Sequence, residues 1–139
     1  MSRGLGKLQR DLLETLEQSD KSIDTISLAA IAYQAEPAAA MDRDLVTDAH
    51  HAAVRRALRN LHKRGLVVDL MRHTSDGRRH WASLKVGLPV LLRYRQNGLE
   101  LDMMSAAFGG STRAGMEAKM MEIAAIKERM KQIGIAPTR

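Results

Sequence analysis

Arg55, Arg56, Arg59 and Lys63 are spaced so that a helix carries all four opposite Val54, Ala57, Leu58 and Leu61. At about 100° per residue the apolar four form one stripe, and the far face collects Ala49, Ala52 and the four cations. A second cationic set, Arg72, His73, Arg78 and Arg79, follows around the tripeptide Ser75-Asp76-Gly77. Guanidinium groups grip anionic oxygens through a forked set of donors, so two adjacent basic sets suit a polyanion. A charged outer helix face is ordinarily just solvated. This one differs in holding a single acid, Asp48 at its start, and in lying beside a second basic cluster.

The charge is concentrated rather than spread. Residues 47–80 carry eight Lys and Arg against three Asp and Glu, whereas residues 1–46 carry five against eight. Residues 81–139 carry nine against five, and the whole chain has a formal charge of +6. A basic balance of this kind favours nucleic acid or another polyanionic partner. All five histidines also fall within 47–80. Below about pH 6.5, the reference value for imidazole, they add charge to the same stretch, so affinity for a polyanion is expected to rise in mild acid.

The other constellations do not assemble chemistry. His50 and His51 are adjacent, so on a helix they point about 100° apart and cannot ligate from one face. His50 falls near the apolar stripe, where a half-buried, satisfied histidine is expected. Asp48 and His51 form an i, i+3 pair with no further ligands, so no metal is expected. The stretch FGGSTRAG, from Phe108 to Gly115, lacks the lysine and spacing of a phosphate loop. Arg113 stands where a G-x-S-x-G motif needs its second glycine. Carboxylates are scattered over polar faces, and with no cysteine there is no thiol nucleophile, thiolate site or disulfide. No catalytic residue and no cofactor are expected.

These residues need elements to position them. The 139 residues suffice for one domain of ordinary size, and 45% hydrophobic with 27% charged residues is a globular balance. No apolar run approaches the ~20 residues of a membrane span, and MSRGLGKLQR lacks a signal peptide's apolar stretch. A cytoplasmic, nucleoid-associated protein is the expectation. Leu5, Leu8, Leu12 and Leu16 predict an amphipathic helix over about 4–18. A short extended piece follows at Ile23 to Ile26, and Ser27 is the expected N-cap of a second helix whose buried face is Leu28, Ile31, Ala32 and Ala35. Pro37 stops it, and Ala38 to Asp44 reads as a loop. Thr47 caps the third helix, and Gly65 closes it.

Leu66 to Leu84 comprises two β-prone runs around Asp76-Gly77, a strong hairpin signal. Helix resumes at Leu88, with Pro89 in its first turn and a break at Asn97-Gly98. A short helix over Leu99 to Phe108, a joint at FGGST and a last helix over about 112–133 complete the chain. Ser111 or Thr112 is the expected cap of that last helix. Trp81, in the returning strand, is expected to anchor the base of the hairpin.

The order helix, short strand, helix, helix, basic hairpin, together with VRRALRNLHKRGLV from Val54 to Val67, resembles the winged helix-turn-helix of transcriptional regulators. The resemblance covers about residues 5–84. It implies a mainly α fold with a small β-hairpin, residues 1–86 being the DNA-binding domain, with the third helix in the major groove and the wing on backbone or minor groove. Arg55, Arg56 and Arg59 would then take guanine edges or phosphates, with Ala49 and Ala52 leaving room for close approach. Thr47 would offer its hydroxyl and backbone donors to a phosphate. Lys63, Arg72, His73, Arg78 and Arg79 would extend the footprint. With only Tyr33, Trp81, Tyr94 and Phe108 as aromatics, duplex DNA is favoured over RNA, whose binders stack bases on clustered rings.

Residues 87–139 read as C-terminal helices for dimerisation. Ile123, Ile126, Met130 and Ile133 repeat at 3, 4, 3 spacing, with Met116 one heptad earlier and Met120 on an adjoining edge. The competing reading is a helix folded back on its own chain. A DNA-binding unit followed by helices looks more like PadR-type than MarR-like regulators, and no effector pocket is legible. The expectation is a homodimeric repressor on duplex DNA. Its alternatives are a plasmid or phage replication, partition or DNA-architecture factor, or a protein-interaction module.

Overall fold

The computed structural model describes residues 4–33, 46–71, 77–110 and 112–135. Within these the element order is α1 (Lys7–Gln18), β1 (Ile23–Asp24), α2 (Thr25–Tyr33), α3 (Asp48–Lys63), β2 (Val67–Met71), β3 (His80–Ser83), α4 (Leu84–Ala106) and α5 (Arg113–Gln132). The fold is mainly helical with one small antiparallel sheet of order β1-β3-β2. Ala35, Pro37, the loop from Ala38 to Asp44, Arg72, His73, Ser75, Asp76 and Ser111 lie outside the described residues. The chain divides into two compact units, Met1–Gly87 and Leu88–Arg139.

In the first unit the periodic leucines do what their spacing requires. Leu12 and Leu16 of α1, Leu28 and Ala29 of α2, and Val54, Ala57, Leu58 and Leu61 of α3 close around Val67 and Trp81. The expected inner face of α2 is shifted: Leu28 and Ala29 are buried and Ile31 is 46% exposed. Ser27 is not the cap of that helix. Asp24 takes the role, accepting from the Ser27 amide at 3.2 Å and from its hydroxyl at 2.5 Å. A carboxylate caps as well as a hydroxyl does, and so the helix begins at Thr25, three residues sooner.

Strand β3 is central, pairing Ile23 with Trp81 on one side and Val67 with Ser83 on the other. The β2 register is irregular between Asp69 and Met71, where Met71 takes φ 53°. The Asp69 carboxylate accepts from the Met71 amide at 2.8 Å there, supporting a conformation that side chains otherwise disfavour.

Helix α4 follows β3 without a loop. The Ser83 hydroxyl accepts from the Val86 amide at 3.3 Å and caps it, so the helix starts at Leu84 rather than Leu88. Pro89 consequently lies beyond the first turn. The helix also runs through Asn97-Gly98, joining two segments that the sequence divides. Gly87 explains the tight junction with β2: a Cβ there would meet Val68 Cβ at 2.5 Å.

In the second unit, Arg95 reaches Glu122 at 2.8 Å and Lys119 pairs with Asp102, tying α5 to α4. Thr112 caps α5, accepting from the Gly115 amide at 3.1 Å. The expected seam is divided. Ile123 and Met130 are buried within the single chain, at 8% and 0% exposure. Met116 and Ile126 are half-buried, while Met120, Met121 and Ile133 are exposed. Among the described residues, no helix is long and apolar enough to cross a membrane.

Candidate functional site

Helix α3 is fixed at both ends by its own sequence. At the start, the Thr47 hydroxyl accepts from the His50 amide at 3.3 Å, and the Thr47 amide donates to His50 Nδ1 at 3.1 Å. Asp48 complements the positive end of the helix dipole. At the other end Gly65 adopts φ 71°, its amide reaches the His62 carbonyl at 2.9 Å, and the Leu66 amide reaches that of Leu61 at 3.0 Å. This paired closure needs the left-handed conformation that glycine alone takes without penalty.

Between these ends the two faces separate. Val54, Ala57, Leu58 and Leu61 are buried, and Arg55, Arg56, Arg59 and Lys63 are exposed. No described acid forms an ion pair with any of those four cations. Ala49 is exposed and Ala52 half-buried, so the start of the face is low in relief. Thr47 departs from expectation in one respect. Its amide is committed to His50 and its oxygen accepts from the His50 amide, leaving the hydroxyl proton as its donor to a ligand.

The hairpin cations are differently placed. Arg78 lies 3.5 Å from Asp24 and Arg79 lies 3.3 Å from Asp69, with the two arginine side chains 56% and 41% exposed. These two are struts as well as charges, because their partners belong to β1 and β2. Burial pushes the Asp24 carboxyl upward. The Ser27 hydrogen bonds and the Arg78 guanidinium outweigh that and hold it below its ordinary 3.8.

Trp81 links the two cationic sets. Its ring meets His62 of α3 edge-on, with centroids 6.4 Å apart, and the Arg79 guanidinium lies 5.8 Å from its centroid. His62 is one turn beyond Arg59, and Arg59 is one turn beyond Arg55, so these three share one side of α3. Arg55, Arg59, His62, Trp81 and Arg79 therefore follow one another from α3 onto β3 and the residue leading into it. The Trp81 indole itself is 2% exposed, a packing anchor rather than a stacking platform.

Some contacts of this region were not legible from spacing. The Ser22 hydroxyl and His80 Nδ1 lie 3.1 Å apart, and the Tyr33 ring stacks on His50 at 4.0 Å. Neither pair is close in sequence, so no local pattern announces them. Among the described residues, no group of three or more His, Cys, Asp and Glu could hold a metal ion. No family model, curated protein or solved structure matches the chain.

Proposed function

We propose that this chain is a winged helix-turn-helix protein that binds duplex DNA in a sequence-specific manner, acts as a homodimer and represses transcription by occluding a promoter. In this reading α2 and α3 are the helix-turn-helix, α3 enters the major groove, and β2 with β3 forms the wing. The observation that carries it is the outward face of α3, whose four cations have no acidic partner among the described residues and continue through His62 and Trp81 to Arg79. Arg55, Arg56 and Arg59 contact base edges or phosphates, Lys63 a phosphate, and Ala49 and Ala52 permit close approach. Arg78 and Arg79 reach the backbone from positions already braced by carboxylates, so each adds less than an arginine of α3.

Arg59→Ala tests the assignment, with Lys7→Ala as the control cation. Selection from random duplexes supplies the site, and its symmetry reports on a two-fold dimer, whose half-sites would lie about one helical turn apart. Arg59→Ala is expected to weaken binding to that site by about 1–3 kcal/mol with an unchanged melting temperature, and Lys7→Ala to leave binding unchanged. The affinity should fall steeply with salt as counterions compete. Equal losses from the two substitutions, or affinity indifferent to salt, would reject duplex binding through α3.

A further inference from the structure

We propose that His50 is a positioning residue that holds the junction of α2 and α3 only while its ring is neutral, so that acidification releases the start of α3. The argument is one of donors and acceptors. The Thr47 amide can only donate, so the His50 Nδ1 that receives it at 3.1 Å must present a lone pair. Neutral His50 therefore carries its proton on Nε2. A second proton would go to Nδ1 and set two donors against each other, breaking one half of the reciprocal cap.

The same ring is the bridge to the preceding helix. It stacks on Tyr33 of α2 with centroids 4.0 Å apart and planes 21° from parallel. His50 thus fixes where α3 starts relative to the end of α2, and loss of the cap frees both contacts together. Among the described residues little compensates a charged ring at this place. Tyr33 is the titratable group that α2 sets against it, and no described carboxylate forms an ion pair with it. Within α3, Asp48 and His51 are neighbours in sequence but are turned away by about 200° and 100° around the axis. A positive charge in the first turn also opposes the helix dipole.

His50→Gln is the discriminating variant, because glutamine at this position accepts the same amide hydrogen bond and takes up no proton. The full chain is melted between pH 8 and 5.5 without nucleic acid, so the result is independent of any duplex reading. The wild-type midpoint is expected to fall by roughly 2–5 °C more than that of His50→Gln over this interval, the size of one lost cap. The other four histidines are common to both proteins, so the difference isolates His50. Nitrogen-15 spectra of the wild-type imidazole serve as a second measurement should the variant fold poorly. They should show the Nε2–H tautomer at pH 8, with the Thr47 and His50 amides shifting along the ring's own titration. Parallel melting curves, an Nδ1–H tautomer, or amides that stay fixed while the ring titrates would each overturn the proposal.

Discussion

The Trp81 indole N–H donates to the Thr25 hydroxyl at 2.9 Å, and that hydroxyl in turn donates to the Arg79 carbonyl at 3.3 Å. The Thr25 amide reaches the same carbonyl at 3.2 Å. One threonine thus ties the first residue of α2 to the residue leading into β3, through a tryptophan that also closes the core against Leu58 and Leu61.

Two substitutions separate the packing from the hydrogen bond. Trp81→Phe removes volume and the donor together and is expected to lower stability by about 1–3 kcal/mol in urea unfolding. Thr25→Val keeps the shape and removes the hydroxyl, at a cost of about 1 kcal/mol. Because the two side chains share a bond, the double variant should lose less than the two costs added together. Strict additivity would show that the bond contributes nothing to the folded chain.

Asp24 sets an acid limit. Burial alone would raise its carboxyl, but the Ser27 hydroxyl and amide and the Arg78 guanidinium together hold it below 3.8. A carboxyl depressed in the folded state contributes stability that is fully present above the unfolded value of about 3.9 and is lost as the pH falls through the folded value. The wild-type protein should therefore lose stability below about pH 4 in part through this residue. Asp24→Asn retains an acceptor for Ser27 but no charge. It should unfold more easily than the wild type at pH 7, by about 1–2 kcal/mol, and the gap should begin to narrow as the pH falls below about 4. A gap that stays constant from pH 7 to 3 would show that the charge of Asp24 is not what holds the hairpin and α2 together.

Elements whose signals are local were legible in the sequence. The leucine stripe of α1, the Thr47 cap and Gly65 closure of α3, and the strands around Asp76-Gly77 each need only neighbouring residues to specify them. Elsewhere two local signals competed. Asp24 and Ser27 are both good caps, and Asp24 takes the role, its carboxylate also reaching Arg78. Ser83 sits in a β-prone run, so its capping of α4 was hidden, and α4 then overrides the turn propensity of Asn97-Gly98. Of the candidate site, the outward face of α3 followed from periodicity alone. That the hairpin arginines are braced by Asp24 and Asp69, and that Trp81 joins His62 to Arg79, depends on strand register, which no short-range pattern encodes.

The divided seam of α5 gives two methionines opposite expected behaviours. Met130 is fully buried within one chain, and its carbonyl receives the Ile135 amide at 2.9 Å in the closure of the helix. Met121, at 74% exposure, has its side chain in solvent, as does Met120 at 56%. Met130→Ala should therefore destabilise the monomer by about 2–5 kcal/mol, through lost burial and the cavity left behind. Met120→Glu with Met121→Glu should leave the melting temperature of a dilute sample nearly unchanged, since neither side chain is buried in the single chain. If two copies associate through this part of α5, the same pair of glutamates places like charges in their interface, and the dissociation constant should rise by at least tenfold in sedimentation equilibrium. A double glutamate variant that sediments like the wild type would remove Met120 and Met121 from any self-association. The buried pair Ile123 and Met130 could not take their place without the helix first leaving its own chain.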